Sequence, residues 1–325
     1  GGLAVTVAAA LIWNITGRLD FVPGGFMHGT SASPAMLGLI FGLFMAGCAV
    51  KAAVMPLHAW LPAAMVAPAP VSALLHAVAV VKAGVFGCLR VLAFVFGPAS
   101  LAETGWANIV VAFCAFTIIA GSLIAMGADN LKRRLAFSTV VHLSYVVLGA
   151  ALLSPNGLTG SVFHMVNHGL AKITLFFCAG AIYVTSHREN VSELKGLGRR
   201  MPWTFGAFTV ASLALIGLPG LCGFVGKLFL ARGAVDSQQL LSLGVMLGAS
   251  ILSAAYLLPV VRTAFFDAPD AHDDAHPHGE ARKALLFPLL ATSVLVIVFG
   301  FVPAVIDLQH ELAGAVAKKV FGVAP

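Results

Sequence analysis

Long apolar runs separated by short polar stretches organise the chain, and most runs match the roughly 20 residues a helix needs to cross a hydrocarbon layer about 30 Å thick. They predict helical spans near 2–16, 35–62, 71–96, 106–127, 135–153, 158–184, 203–234, 240–266 and 284–307. Two of these exceed one span and carry their own punctuation. Pro56 and Pro62 interrupt 35–62, while Gly217, Pro219, Gly220 and Gly223 interrupt 203–234, so both read as broken helices. The expected fold class is all-α: a polytopic transmembrane helical bundle of about nine spans, forming a single membrane domain over residues 1–325.

The stretch 267–283, DAPDAHDDAHPHGEARK, reads as a polar loop. The tail from Gln309 to Pro325 has weak amphipathic spacing and is expected to lie along the membrane surface. Gly1 opens directly into GGLAVTVAAALIW, with no starting Met and none of the basic flank and small-residue cleavage site of a signal peptide. The sequence therefore reads as a fragment of a longer chain.

Composition makes the bilayer the solvent. Apolar residues are 59% of the 325 and charged residues 10%, against about 25% charged in a soluble domain. The formal net charge of +6 does not imply nucleic acid, because the basic residues concentrate in short loops where they orient helices. Cys48, Cys88, Cys114, Cys178 and Cys222 lie in apolar segments without CxxC spacing, and read as small packing residues rather than disulfides or metal ligands. The Asp and His residues of 267–283 are explained by loop polarity, and no metal site is expected.

Alternating the loops from side to side gathers 129–134, 187–200, 280–283 and Arg262 on one face with ten Lys or Arg. The opposite face holds Arg18, Arg90, Arg232, Lys318 and Lys319. The basic face is expected to be cytoplasmic.

Charges within the spans change the picture from architecture to chemistry. A lysine near a helix centre costs about 2.5–3.5 kcal/mol to insert, and each large apolar residue returns only about 0.3–0.6 kcal/mol. Lys51 is the one charge in AMLGLIFGLFMAGCAVKAAV, and faces either a polar interior or, by snorkelling, the water boundary beyond Pro56. Lys82 sits near mid-span with His76 six residues before it. Lys227 follows the Pro219–Gly220 break as the only charge between Trp203 and Leu230. Lys132 opens the run Lys132, Arg133, Arg134, where topology signalling competes with function. His142 and His58 are weaker candidates and stand outside the core path.

The span GSVFHMVNHGLAKITLFFCAG places His164, His168 and Lys172 at i, i+4 and i+8, one face of a helix. Histidine exchanges protons near neutral pH, and desolvation moves a lysine toward the same range. The stripe therefore predicts a proton ladder whose rungs, each about 6 Å apart along the axis, need intervening water. Polar contacts between helices are the alternative use of the same histidines.

KAAVMPLHAWLPAAMVAPAPVSALLHAVAVVKAGVF, DNLKRRLAFST, FHMVNHGLAKITLFF and GLPGLCGFVGK together resemble the antiporter-like subunits of respiratory complex I and Mrp-type cation/proton antiporters, most of all the D-type members of the Mrp group. The resemblance runs from about residue 35 to 266. It implies helices six to fourteen of a fourteen-helix fold built from two inverted five-helix repeats, each with a broken helix. It also implies that Lys51, Lys82, Lys132, His164, His168, Lys172 and Lys227 belong to a polar axis across the membrane. The glutamate that partners the first lysine in that family would lie on an earlier helix, outside this sequence. Leu228 stands after Lys227 where some complex I members carry an acid.

The expected function is proton translocation along Lys51, His76, Lys82, Lys132, His164, His168, Lys172 and Lys227, in one component of a multisubunit monovalent cation (Na+)/proton antiporter. A pump module of complex I or of a membrane-bound hydrogenase is the first rival, and a non-transporting scaffold the second. No CxxC, Gly-rich nucleotide loop or flavin fingerprint is present, so no cofactor is expected. The expected partners are other membrane subunits, protons, Na+ and lipid, in a bacterial inner membrane.

Overall fold

A computed structural model describes residues 1–269 and 279–322, without the side chains of His76 and Ala77. The described chain is helical: α1 (Gly2–Thr16), α2 (Pro34–Ala52), α3 (Trp60–Ala63), α4 (Ala69–Ala73), α5 (Val80–Arg90), α6 (Gly97–Thr104), α7 (Trp106–Gly127) and α8 (Leu131–Ala151). Then follow α9 (Pro155–Ser186), α10 (Leu197–Arg200), α11 (Pro202–Ile216), α12 (Cys222–Asp236), α13 (Leu240–Phe266), α14 (Lys283–Phe301) and α15 (Pro303–Phe321). Among the described residues, seven helical stretches are long and apolar enough to cross a membrane, and α1 and α11 are shorter apolar helices. The chain folds as a multi-pass membrane bundle.

The bundle is arranged around α8. Its whole apolar window is buried, although it is the least apolar of the seven spans and α9 is the next. A helix surrounded by other helices never meets lipid, so it can carry Ser138, Thr139, His142, Ser144 and Tyr145 around its circumference. Close approach comes from glycine. A Cβ on Gly160 of α9 would lie 2.5 Å from the backbone nitrogen of Leu230 in α12, and one on Gly226 would lie 3.1 Å from the backbone of His164. Small residues at such crossings let backbones touch, the usual device of membrane helices.

Both interruptions are present. The first comes earlier than the two prolines placed it: α2 ends at Ala52, Ala53 takes a left-handed conformation, and the chain turns through Pro56 before α3. A proline disfavours helix in the residue before it, so the helix stops upstream. The second break runs from Gly217, at φ 99°, to Leu221. A π-helical turn over Leu74–Val78 precedes α5, and π turns recur at functional sites.

The loops rich in basic residues share one end. Leu131 N donates to Glu189 O at 2.8 Å, Gly196 N to Thr263 O at 3.3 Å, and Glu280 accepts from Trp203 N at 2.9 Å. At the other end Asn156 Nδ2 donates to Asp236 Oδ2 at 2.7 Å. Residues 270–278 of the polar loop lie outside the described residues. The last span is shorter than the sequence indicated, ending at Phe301. Pro303, favoured in a first helical turn, starts α15 six residues before Gln309.

Candidate functional site

The interior of the bundle holds six ionisable side chains from four elements. Lys82 on α5 reaches α9, where its ammonium donates to Met165 O and lies 3.3 Å from His168 Nδ1. His142 Nδ1 on α8 is 3.1 Å from His164 Nε2 on α9, and its ring stacks 5.5 Å from that of His168. The three histidines are buried to within 1%. Lys172, fully buried, donates to Leu135 O at 2.9 Å.

Lys227 closes the other side. Its Nζ donates to Ile216 O and to Ser250 Oγ, each at 2.9 Å, and lies 5.4 Å above the Tyr145 ring. Tyr145 in turn is 5.6 Å from His164, centroid to centroid, and its hydroxyl donates to Met246 O. Ile216 is the last residue of α11, so the ammonium caps a carbonyl that the break leaves without an intrahelical donor. A helix C-terminus also favours a cation. Asn167 Nδ2 donates to Cys222 O at 2.7 Å, fixing the start of α12 to the middle of α9.

Two electrostatic features mark this interior. Among the described residues, Lys82, Lys172 and Lys227 have no carboxylate within ion-pair distance; their acceptors are backbone carbonyls, a hydroxyl and an imidazole. His142 Nε2, His164 Nδ1 and His168 Nε2 are buried without a hydrogen-bond partner. Buried polar atoms are normally satisfied, and in a neutral imidazole each of these nitrogens is an N–H or a lone pair according to the role its bonded ring partner takes. Chemically, imidazoles and desolvated lysine amines are groups that take up and release protons near neutral pH.

The structure thus brings Lys82, His164, His168, Lys172 and Lys227 into one cluster. Lys51 is apart, exposed in the last turn of α2, while Pro56, Pro219 and Gly220 lie in the two breaks. Lys132 stands at the basic end, 3.4 Å from Glu189 and 5.4 Å above the Tyr183 ring. The side chain of His76 lies outside the described residues. His58 faces Phe137 at the first break.

The main addition is His142, which the sequence pattern left outside the core path. It supplies the contact that the α9 stripe lacks: the His164 and His168 rings are 6.2 Å apart, and His142 lies against both. The available signal was the polarity of its span on every face.

A helical membrane bundle with two broken helices and a line of interior lysines and histidines has the architecture of an antiporter-like membrane subunit. The family model for "NADH:quinone oxidoreductase/Mrp antiporter, TM" matches residues 1–253, and the chain belongs to that family. It is 36% identical over 280 residues, 81% of its length, to a NAD(P)H-quinone oxidoreductase chain 4 of Synechococcus sp.. A probable K(+)/H(+) antiporter component of Rhizobium meliloti is 33% identical over 309 residues, 94% of this chain. These matches cover 52% and 30% of the two relatives, so the chain spans about half the length of the first and less of the second. The Mrp complex from Dietzia sp. contains a chain that superposes with a TM-score of 0.86 at 26% identity, covering 98% of this chain and 65% of that one.

Proposed function

We propose that this chain forms the proton path of a multisubunit monovalent cation/proton antiporter, with Na+ as the coupled cation, in a bacterial inner membrane. The observation that carries the reading is the set of three interior lysines and three histidines, with Lys82 against His168 and His142 against His164, matched by no carboxylate among the described residues. Ionisable groups in a membrane interior are expensive and mark ion pathways. In the proposed path, protons pass between Lys82 and Lys227 through His168, His142 and His164, with Lys172 as a side branch toward the basic end. Lys51 extends it on the α2 side, His76 belongs to the same path through the segment before α5, and Lys132 stands at its basic mouth, which faces the cytoplasm.

Lys82 and His168, and His142 and His164, are within hydrogen-bond reach, while the steps from His168 to His142 and from His164 to Lys227 need an intervening water. Protonated Lys227 is held by Ile216 O and Ser250, and an ammonium there disfavours a second positive charge on His164. Loading one end of the line therefore expels a proton from the other. The partner subunits would supply whatever drives that loading.

A second reading, the pump module of a redox-driven quinone reductase, is favoured by the name of the Synechococcus relative. Neighbouring genes separate the two, since small antiporter subunits would stand beside one and quinone-reductase subunits beside the other. The test of the shared reading is proton flux in vesicles holding the assembled complex. Lys227→Ala is expected to lower it by about a hundredfold, the rate equivalent of one lost charged hydrogen bond of up to about 3 kcal/mol. Full flux in that variant removes Lys227 from the path.

A further inference from the structure

At the basic end, α4, α8, α9 and α14 all begin or finish, and between them lies a cavity of about 520 Å³. That is within the roughly 300–1,000 Å³ range of ligand pockets. Its walls change character with depth. Lys132, Glu189 and Tyr183 lie at the helix ends, whereas Phe177 on α9 and Pro288 on α14 lie farther along their helices. Phe177 is nine residues before the end of α9, about 13 Å from the helix terminus at the rise of a helix. A charged mouth at headgroup level above an apolar shaft has the polarity profile of a glycerophospholipid.

The mouth also selects a headgroup. Lys132 Nζ and Glu189 Oε1 are 3.4 Å apart, so a cation and an anion stand side by side. The carboxylate is held there by Asn130 Nδ2 at 3.4 Å, and its backbone carbonyl accepts from Leu131 N. An anionic headgroup would meet Glu189 unfavourably. A zwitterion carrying a phosphate and a primary ammonium complements both charges, and an ammonium, unlike a quaternary choline, donates hydrogen bonds to a carboxylate.

We propose that this cavity binds one phosphatidylethanolamine molecule, with its phosphate on Lys132, its ammonium on Glu189, and an acyl chain against Phe177 and Pro288. The site shares Lys132 with the mouth of the proposed path, and its test reads lipid labelling rather than proton flux, so the two readings fail separately.

The test uses the assembled complex in nanodiscs of phosphatidylethanolamine and phosphatidylglycerol, doped with phosphatidylethanolamine bearing a diazirine at mid-chain. Illumination is expected to label peptides containing Phe177 or Pro288. Unlabelled phosphatidylethanolamine should suppress that labelling and unlabelled phosphatidylglycerol should not. Glu189→Gln and Lys132→Met should each lower the yield about tenfold, the worth of one charge-assisted contact. Labelling confined to other surfaces, equal suppression by both lipids, or crosslinking of these peptides to a neighbouring protein of the complex would overturn the proposal. The wild-type competition decides the matter even if both variants fail to fold.

Discussion

The two helix breaks present the same backbone problem and solve it differently. At the first, Trp60 Nε1 donates to Val50 O at 2.7 Å and Met55 N donates to Thr117 Oγ1 on α7 at 3.1 Å. The freed groups are satisfied by neutral partners, and the nearby Lys51 is exposed. At the second, the freed carbonyl of Ile216 receives the ammonium of Lys227, and Asn167 holds Cys222 O. A break closed by an indole is a structural joint. A break closed by an ammonium trades charge-assisted hydrogen bonds for weaker neutral ones when the lysine gives up its proton, so the second break is the one equipped to couple charge to backbone geometry.

The strongest way to break this comparison is Lys227→Arg. Arginine keeps a positive charge and can satisfy Ile216 O, but it does not release its proton in proteins. Proton flux in vesicles is expected to fall about tenfold or more, a barrier increase of at least ~1.4 kcal/mol. Flux at the original level would mean that Lys227 acts as a fixed charge and that the breaks do not differ in kind.

Asn167→Ala tests the same break through its backbone. The bond to Cys222 O is buried, and interhelical hydrogen bonds in membranes are worth about 0.6 kcal/mol on average and up to ~1.7 kcal/mol. The expected outcome is a loss of stability toward the upper value, read by thermal unfolding in detergent, together with reduced flux. Unchanged flux at reduced stability would show that the geometry of the break is not part of conduction.

Trp60→Phe is the matching change at the first break. It removes the indole donor to Val50 O, leaves the 3.3 Å bond from Ala53 N and keeps most of the ring, so a stability loss of about 0.6 kcal/mol is expected with flux per folded complex preserved. A flux defect as large as that of Asn167→Ala would put both breaks in the mechanism on equal terms.

The sequence displayed the lysines better than their surroundings. Lys82, Lys172 and Lys227 stand alone in apolar runs, and the cost of inserting a charge makes each conspicuous without a structure. The His164, His168, Lys172 stripe follows from helical period alone. Spacing within one helix says nothing about which neighbour faces it, and for that reason His142 escaped: its bond to His164 joins α8 to α9. The polar residues on every side of α8 were a readable sign that it avoids lipid, yet they did not single out one side chain. The Asn167 contact was equally hidden, because an asparagine between two histidines gives no indication that its acceptor is a carbonyl at a break 55 residues away.

Lys51→Arg sharpens the contrast at its weakest point. Lys51 occupies the last turn of α2, where any cation complements the helix dipole, worth about 0.3–1 kcal/mol, and its exposure leaves room for a guanidinium. If it contributes standing charge to the path, arginine replaces it with less than about a fivefold change in flux, the rate equivalent of that dipole energy. If it must release a proton, flux falls as far as in Lys227→Arg. Measuring both arginine variants in one vesicle preparation therefore distinguishes a line of proton carriers from a line held at one end by a fixed charge. The neutral closure of the first break by Trp60 favours the fixed charge, since deprotonating Lys51 would leave the bond to Val50 O unchanged.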